Sequence, residues 1–226
     1  MTTAERRRAI LDCAARLFRH YGHAKTTIAD IAREAEVGVG TVYLEFPSKE
    51  AIVEELSSST HVRVLDAMRR VADARSGESF SERLTGVLEA RVATFQKLAS
   101  EGQHACELVH CKTDTVKAVH ARFREEERAL FQMLLDQARA SYEIASVDTA
   151  RAAALIQRAY ATLSPPWLFE ERPEEGARLA REMGRLLLLG LMSRTDPDAD
   201  DERPPAPAPK RAARTLARRR RSRSSR

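Results

Sequence analysis

His104, Cys106, His110 and Cys111 carry the donor types of a metal site or a redox pair. At 100° per residue, Cys106 and His110 lie about 40° apart on one helix, but Cys106 and Cys111 lie about 140° apart and cannot meet. His104 and Cys111 share a face yet sit ~10 Å apart along the axis, too far for one small ion. No single straight helix can use all four, so packing and surface placement account for them and no metal is predicted. Catalytic patterns are missing as well. There is no Gly-x-Ser-x-Gly elbow, no His-Glu-x-x-His pair, no phosphate-binding glycine loop and no dinucleotide fingerprint. Acidic runs such as Glu125-Glu126-Glu127 and Glu170-Glu171 read as solvated helix faces. The sequence predicts neither an enzyme nor a cofactor.

The stretch from Thr26 to Lys49 offers a different chemistry. Ile28, Ile31, Ala32, Ala35, Val37 and Val42 mark two short apolar helices joined by a tight turn, the helix-turn-helix pattern. Gly38 and Gly40 leave the start of the second helix nearly bare, where free N–H groups and the helix dipole favour an anion such as a DNA phosphate. Thr41 and Tyr43 supply hydroxyls on that helix, and Lys49 opens the next one, where another phosphate contact is geometrically easy.

The elements that must hold these residues are helical throughout. Ile10, Ala14, Leu17, Phe18 and Tyr21 form one stripe of 3.6-residue period, and Gly22 ends it. Thr26-Thr27 offers a capping hydroxyl ahead of Ile28. Pro47-Ser48 is a stop and a fresh start. From Lys49 a long helix carries Val53, Leu56, Thr60, Val64, Ala67 and Val71 on one face and breaks near Ser76-Gly77. Further helices are predicted at about 80–99, 103–112, 115–142, 147–163 and 174–193. No alternating β-branched run argues for a strand. The fold class is therefore all-α: a three-helix head over residues 1–50, with the helix-turn-helix proper at about 27–46, then a helical body over 51–194.

Residues 195–226 differ in kind. They hold five prolines and no aromatic residue, with an acidic block followed by a Pro-rich and an Arg-rich one. Such a composition cannot bury enough apolar area to offset its ordering entropy, so a disordered tail is predicted. The formal net charge of +5 conceals this asymmetry: residues 210–226 carry Lys210 and eight Arg without an acid, whereas residues 1–195 are neutral with 28 basic and 28 acidic side chains. The longest apolar run, 186–192, is far short of the ~20 residues a spanning helix needs. Glu5, Arg6, Arg7 and Arg8 stand where a signal peptide would begin its apolar stretch. An odd set of three cysteines without framework spacing fits a reducing compartment. The expected location is the cytoplasm, at the nucleoid.

Over about residues 8–56 the chain resembles the TetR family of bacterial transcription regulators. The residues that carry the resemblance are Ile10-Leu11, Ala14-Ala15, Leu17-Phe18, Gly22, Thr26-Thr27-Ile28, Ile31-Ala32, Ala35, Val37, Gly40-Thr41-Val42-Tyr43, Phe46 and Lys49-Glu50. The resemblance implies Thr27, Gly40, Thr41, Tyr43 and Lys49 as DNA-contact positions. It places Val39 and Leu44 where side chains face base edges, able to meet thymine methyls but not to pair bidentately with guanine. Three positions depart from the family pattern. Glu36 stands where Gly is common in the turn, Gly38 replaces a Ser cap, and Glu45 stands where His or Tyr is usual and where a carboxylate repels phosphate.

The resemblance further implies an effector cavity in the body, among whose large side chains Phe95, Phe123, Phe131, Tyr160 and Trp167 are candidates. It also implies a homodimer through the helices at about 147–163 and 174–193. The last of these is apolar nearly all round, so it must be covered on more than one side. The implied function is a sequence-specific DNA-binding regulator, most often a repressor released from a double-stranded operator by a small-molecule effector. The alternative is a nucleoid-associated or structural DNA-binding protein without an effector.

Overall fold

A computed structural model describes residues 2–109 and 114–192. The predicted tail at 195–226 lies outside the described residues, as do His110 and Cys111. Eight α-helices are present among the described residues: α1 (Thr3–Tyr21), α2 (Ile28–Glu34), α3 (Val39–Glu45), α4 (Lys49–Ala74), α5 (Phe80–Ala99), α6 (Asp114–Ala140), α7 (Thr149–Ala159) and α8 (Pro173–Met192). The chain is all-α. None of these helices is long and apolar enough to cross a membrane.

Local chemistry sets most boundaries. Thr2 and Glu5 form a reciprocal capping box that starts α1 well before its apolar stripe, and Thr27 with Asp30 and Ser79 with Glu82 do the same for α2 and α5. The Ser48 hydroxyl accepts from the Ala51 N–H at 3.1 Å and opens α4 immediately after Pro47. Gly22, at φ 85°, ends α1 with its N–H on the Phe18 carbonyl. Glu36 in the α2–α3 turn has φ 53°, the left-handed region in which a residue with a side chain costs roughly 1–2 kcal/mol. This is the strain that Glu in place of Gly implies.

Two apolar cores share the long helix. Ile10, Ala14 and Phe18 of α1, Ile31 and Ala32 of α2, Val42, Phe46, and Ile52, Val53 and Leu56 at the start of α4 form one. Leu108 and Val116, which follow α5, pack into this same core. The second core gathers Val64, Leu65 and Met68 of α4 with Leu84, Leu88 and Val92 of α5, Phe131, Leu134 and Leu135 of α6, Ile156 of α7, and Ala180 and Leu188 of α8. Helix α5 packs between α4 and α8, while α6 packs against α4 and α7.

Two elements differ from the sequence expectation. A helix was expected at 103–112, yet the described part is a 3-10 turn, Ala105–Leu108. This segment is pinned to the end of α1. Gly102 presses so close that a Cβ there would lie 2.6 Å from the Arg19 carbonyl oxygen. That oxygen accepts from the His104 N–H at 3.0 Å, and Glu107 accepts from the His23 N–H at 2.8 Å. These bonds fix the segment against the end of α1. The helix expected at 147–163 also stops early, at Ala159, and finishes as a 3-10 turn, Tyr160–Leu163, whose last carbonyl accepts from Arg91 at 2.8 Å.

Candidate nucleic-acid interface

Helix α3 has one buried anchor, Val42, and an exposed arc opposite it. At 100° per residue Val39, Tyr43, Gly40 and Leu44 span about 140°. Val39 is 43%, Tyr43 52% and Leu44 87% exposed. Gly40 lies inside the arc, with nothing within 4 Å of where a Cβ would sit. Thr41 is half-buried at the side. Gly38 caps the helix without any side-chain bond.

Thr27 sits at the start of α2, its hydroxyl engaged with Asp30 at 2.6 Å and accepting from the Asp30 N–H at 3.2 Å. Lys49 is half-buried, and its ammonium donates to the His23 carbonyl at 2.9 Å and the Thr26 carbonyl at 3.0 Å. Those two carbonyls belong to the α1–α2 connection, so Lys49 ties the head to the first turn of α4. Burial, and then the Lys49 charge, push the His23 imidazole below its ordinary pKa.

Glu45 is neither a free carboxylate facing phosphate nor a solvated one. Arg6 donates to its Oε1 from Nε at 2.8 Å and from Nη2 at 2.6 Å, leaving the Glu45 side chain 8% exposed. Arg7 donates to the Glu45 carbonyl at 2.6 Å, stacks 4.0 Å from the Phe46 ring and pairs with Glu55. Two cations thus sit at the carboxyl end of α3, where they suit the helix dipole. They neutralise the one acid on this helix and join α1 to α3. Sequence reading missed both arginines because their partner lies 39 residues away for Arg6 and 38 for Arg7.

Of the five body aromatics, Phe95 and Phe123 meet edge to face with centroids 6.1 Å apart. His61 stands 4.7 Å from the Phe123 ring, and burial pushes its imidazole down to about 4, so it is neutral near pH 7. Arg91 lies 5.2 Å from the Phe95 ring. Tyr160 is fully buried and donates its hydroxyl to the Ala180 carbonyl, and Phe131 is buried too. Trp167 is exposed. The Ser57 hydroxyl, beneath His61 on α4, is buried without a hydrogen-bond partner.

Helix α1 and the short α2 and α3, with α3 exposed and Val42 buried, make a helix-turn-helix head on a helical body. Residues 10–56 match the tetR family of bacterial regulatory proteins. The chain is 43% identical over 49 residues to the A-factor receptor protein of Streptomyces griseus, and 33% identical over 69 residues to the uncharacterized HTH-type transcriptional regulator YhgD of Bacillus subtilis. It spans only 18% and 34% of the length of these two relatives. Against the HTH-type transcriptional regulator AcrR of Shigella flexneri it is 27% identical over 189 residues, covering 81% of this chain and 88% of that one. The fold matches a TetR/AcrR-family regulator from Thermobifida fusca at TM-score 0.64 and 24% identity, over 82% of this chain and 98% of that one. It also matches the regulator PfmR of Thermus thermophilus at TM-score 0.56 and 21% identity, over 81% and 99%. Residues 10–56 thus carry a head similar to that of the tetR family of bacterial regulatory proteins, and the body shares the fold of TetR-family structures.

The geometry separates two residues that the sequence treats alike. Lys49→Ala removes two charge-assisted, part-buried bonds to carbonyls of the α1–α2 connection and should cost the head roughly 1.5–3 kcal/mol. Tyr43→Ala, on the exposed arc, should change stability by less than about 0.5 kcal/mol while weakening DNA binding. Urea denaturation with gel-shift titration checks both. Equal stability losses would place Tyr43 in the packing of the head rather than on its reading face.

Proposed function

We propose that the protein is a sequence-specific DNA-binding regulator that acts as a homodimer, most simply as a repressor released from its operator by a small-molecule effector. The observation that carries this reading is the exposed arc of α3, large side chains turned to solvent on a family-matched helix-turn-helix head. Each subunit would place α3 in a major groove, with half-sites about 34–36 Å apart or a multiple of that. Thr27, Val39, Gly40, Thr41, Tyr43 and Leu44 would face DNA, with Lys49 bracing the head and reaching phosphate only if it leaves its carbonyls. In this reading residues 1–50 hold the DNA and 51–194 hold the effector and the partner subunit.

Effector release requires a state that the ligand binds differently. Helix α4 supports it, since it contributes to both cores, and so does the Gly102–Leu108 segment clasped to α1. Phe95 and Phe123, beside His61 and Arg91, are the contacts we assign first to an effector. Phe131, Tyr160 and Trp167 are the remaining candidates. Footprinting the full chain on the DNA flanking its own gene tests the reading. A discrete palindromic footprint is expected. Uniform coating would instead indicate a structural DNA-binding protein, and absence of binding would remove DNA as a partner.

A further inference from the structure

We propose that α3 chooses its operator by the C5 methyl groups of pyrimidines, with Leu44 and Val39 as the residues that read them. This rests on the DNA-reading role proposed for α3 and adds which feature of the bases it recognises.

The argument is one of elimination along a short helix. Two-point recognition of guanine needs Arg or Lys, and that of adenine needs Asn or Gln. Helix α3, Val-Gly-Thr-Val-Tyr-Leu-Glu, contains none of these. Its single carboxylate, the group that could accept from the cytosine amino group, is held by Arg6 at 2.6 Å and 2.8 Å. Thr41 lies half-buried beside the arc, and Val42 is fully buried. Tyr43 offers one hydroxyl, enough for a phosphate or one base atom but not a paired contact. What remains free to touch base edges is apolar: the isobutyl group of Leu44, 87% exposed, and the isopropyl group of Val39, 43% exposed.

The counterpart of a methyl surface in the major groove is the thymine C5 methyl. Val39 and Leu44 lie about 7.5 Å apart along the helix axis and about 140° apart around it, so they meet different base pairs. Gly40, with open space where a Cβ would stand, lets the helix come close between them. Uracil is thymine without that methyl, and 5-methylcytosine carries the same methyl on a cytosine. The consequence is that α3 reads a methyl rather than a base identity. Methylation of cytosine at C5 within the operator should therefore tighten binding at the positions Leu44 and Val39 touch.

Duplexes selected from a random library by the purified full chain provide the probe. Replacing a contacted thymine by uracil should weaken binding roughly three- to fourfold per methyl. Replacing cytosine by 5-methylcytosine at the same position should strengthen it by a similar factor. Leu44→Ala, a change at an almost fully exposed helical position that circular dichroism can verify as folded, should bring the thymine-to-uracil ratio to one at its own position and leave it intact at that of Val39. A wild-type chain that selects a sequence yet binds thymine and uracil duplexes equally overturns the proposal while sparing the regulator. So does a Leu44→Ala chain with an unchanged ratio. Failure to select any sequence overturns the DNA-reading role itself, and this inference with it.

Discussion

Replacing Arg91 or Glu127 singly by Ala should destabilise the body by about 3–5 kcal/mol, a large part of the stability of a small protein. The two side chains are 4% and 1% exposed and meet at 2.5 Å between Arg91 Nε and Glu127 Oε1. Arg91 spends its other donors on the Leu163 carbonyl at 2.8 Å and the Ser164 hydroxyl at 2.7 Å. Glu127 Oε2 accepts from Gln157 at 2.8 Å. The pair therefore ties α5, α6, α7 and the turn beyond it in one network. Removing one member leaves a buried charge without its counter-ion, which costs more than the pair is worth as a whole. Replacing both by apolar groups of similar size, Arg91→Met with Glu127→Leu, should recover most of the loss. Urea midpoints of the two single variants and the double one decide the matter. Single variants within about 1 kcal/mol of the parent would mean that water reaches this site.

The second large effect is expected on α8. Ala180, Gly184 and Leu188 face the core, whereas Leu186 is 70% and Leu189 71% exposed, with Met192 and the Leu155 side chain of α7 each at 53%. Gly190 adds an open surface without a Cβ contact. A two-fold interface uses the same patch twice. If α8 forms the interface of the proposed homodimer, Leu186→Glu with Leu189→Glu removes four leucines from it and sets four carboxylates against one another. Dimer dissociation should strengthen by at least about a thousandfold, since each buried leucine contributes roughly 1.5–3 kcal/mol. Operator affinity should fall with it, because two linked heads bind far better than one. Sedimentation velocity reads the first effect and gel shift the second. Leu187, half-buried against the body core, is the wrong residue for this test: a charge there would strike the subunit's own packing. A double variant that remains a stable dimer would move the interface away from α8.

The head was legible in the sequence because what specifies it is local. Thr27 caps α2 through Asp30 three residues on, Gly22 stops α1 where a left-handed residue is needed, and Ile28, Ile31, Ala32 and Ala35 recur at helical spacing. Interactions a few residues apart survive in any fold that keeps the helix, so residue order alone determines them. Helical periodicity without alternating β-branched runs likewise gave the all-α class, and the run of leucines gave the apolar girth of α8. Tertiary structure decided the rest. Lys49 holds carbonyls 26 and 23 residues away, Arg6 disarms Glu45 across 39, and Arg91 finds Glu127 across 36. The sequence left α8 without a direction, because leucines cover nearly its whole circumference, and packing against α5 chose which of them turn inward. Pairing over such separations depends on how whole helices cross. A side chain's periodicity marks it as helical but carries no information about which distant group will meet it.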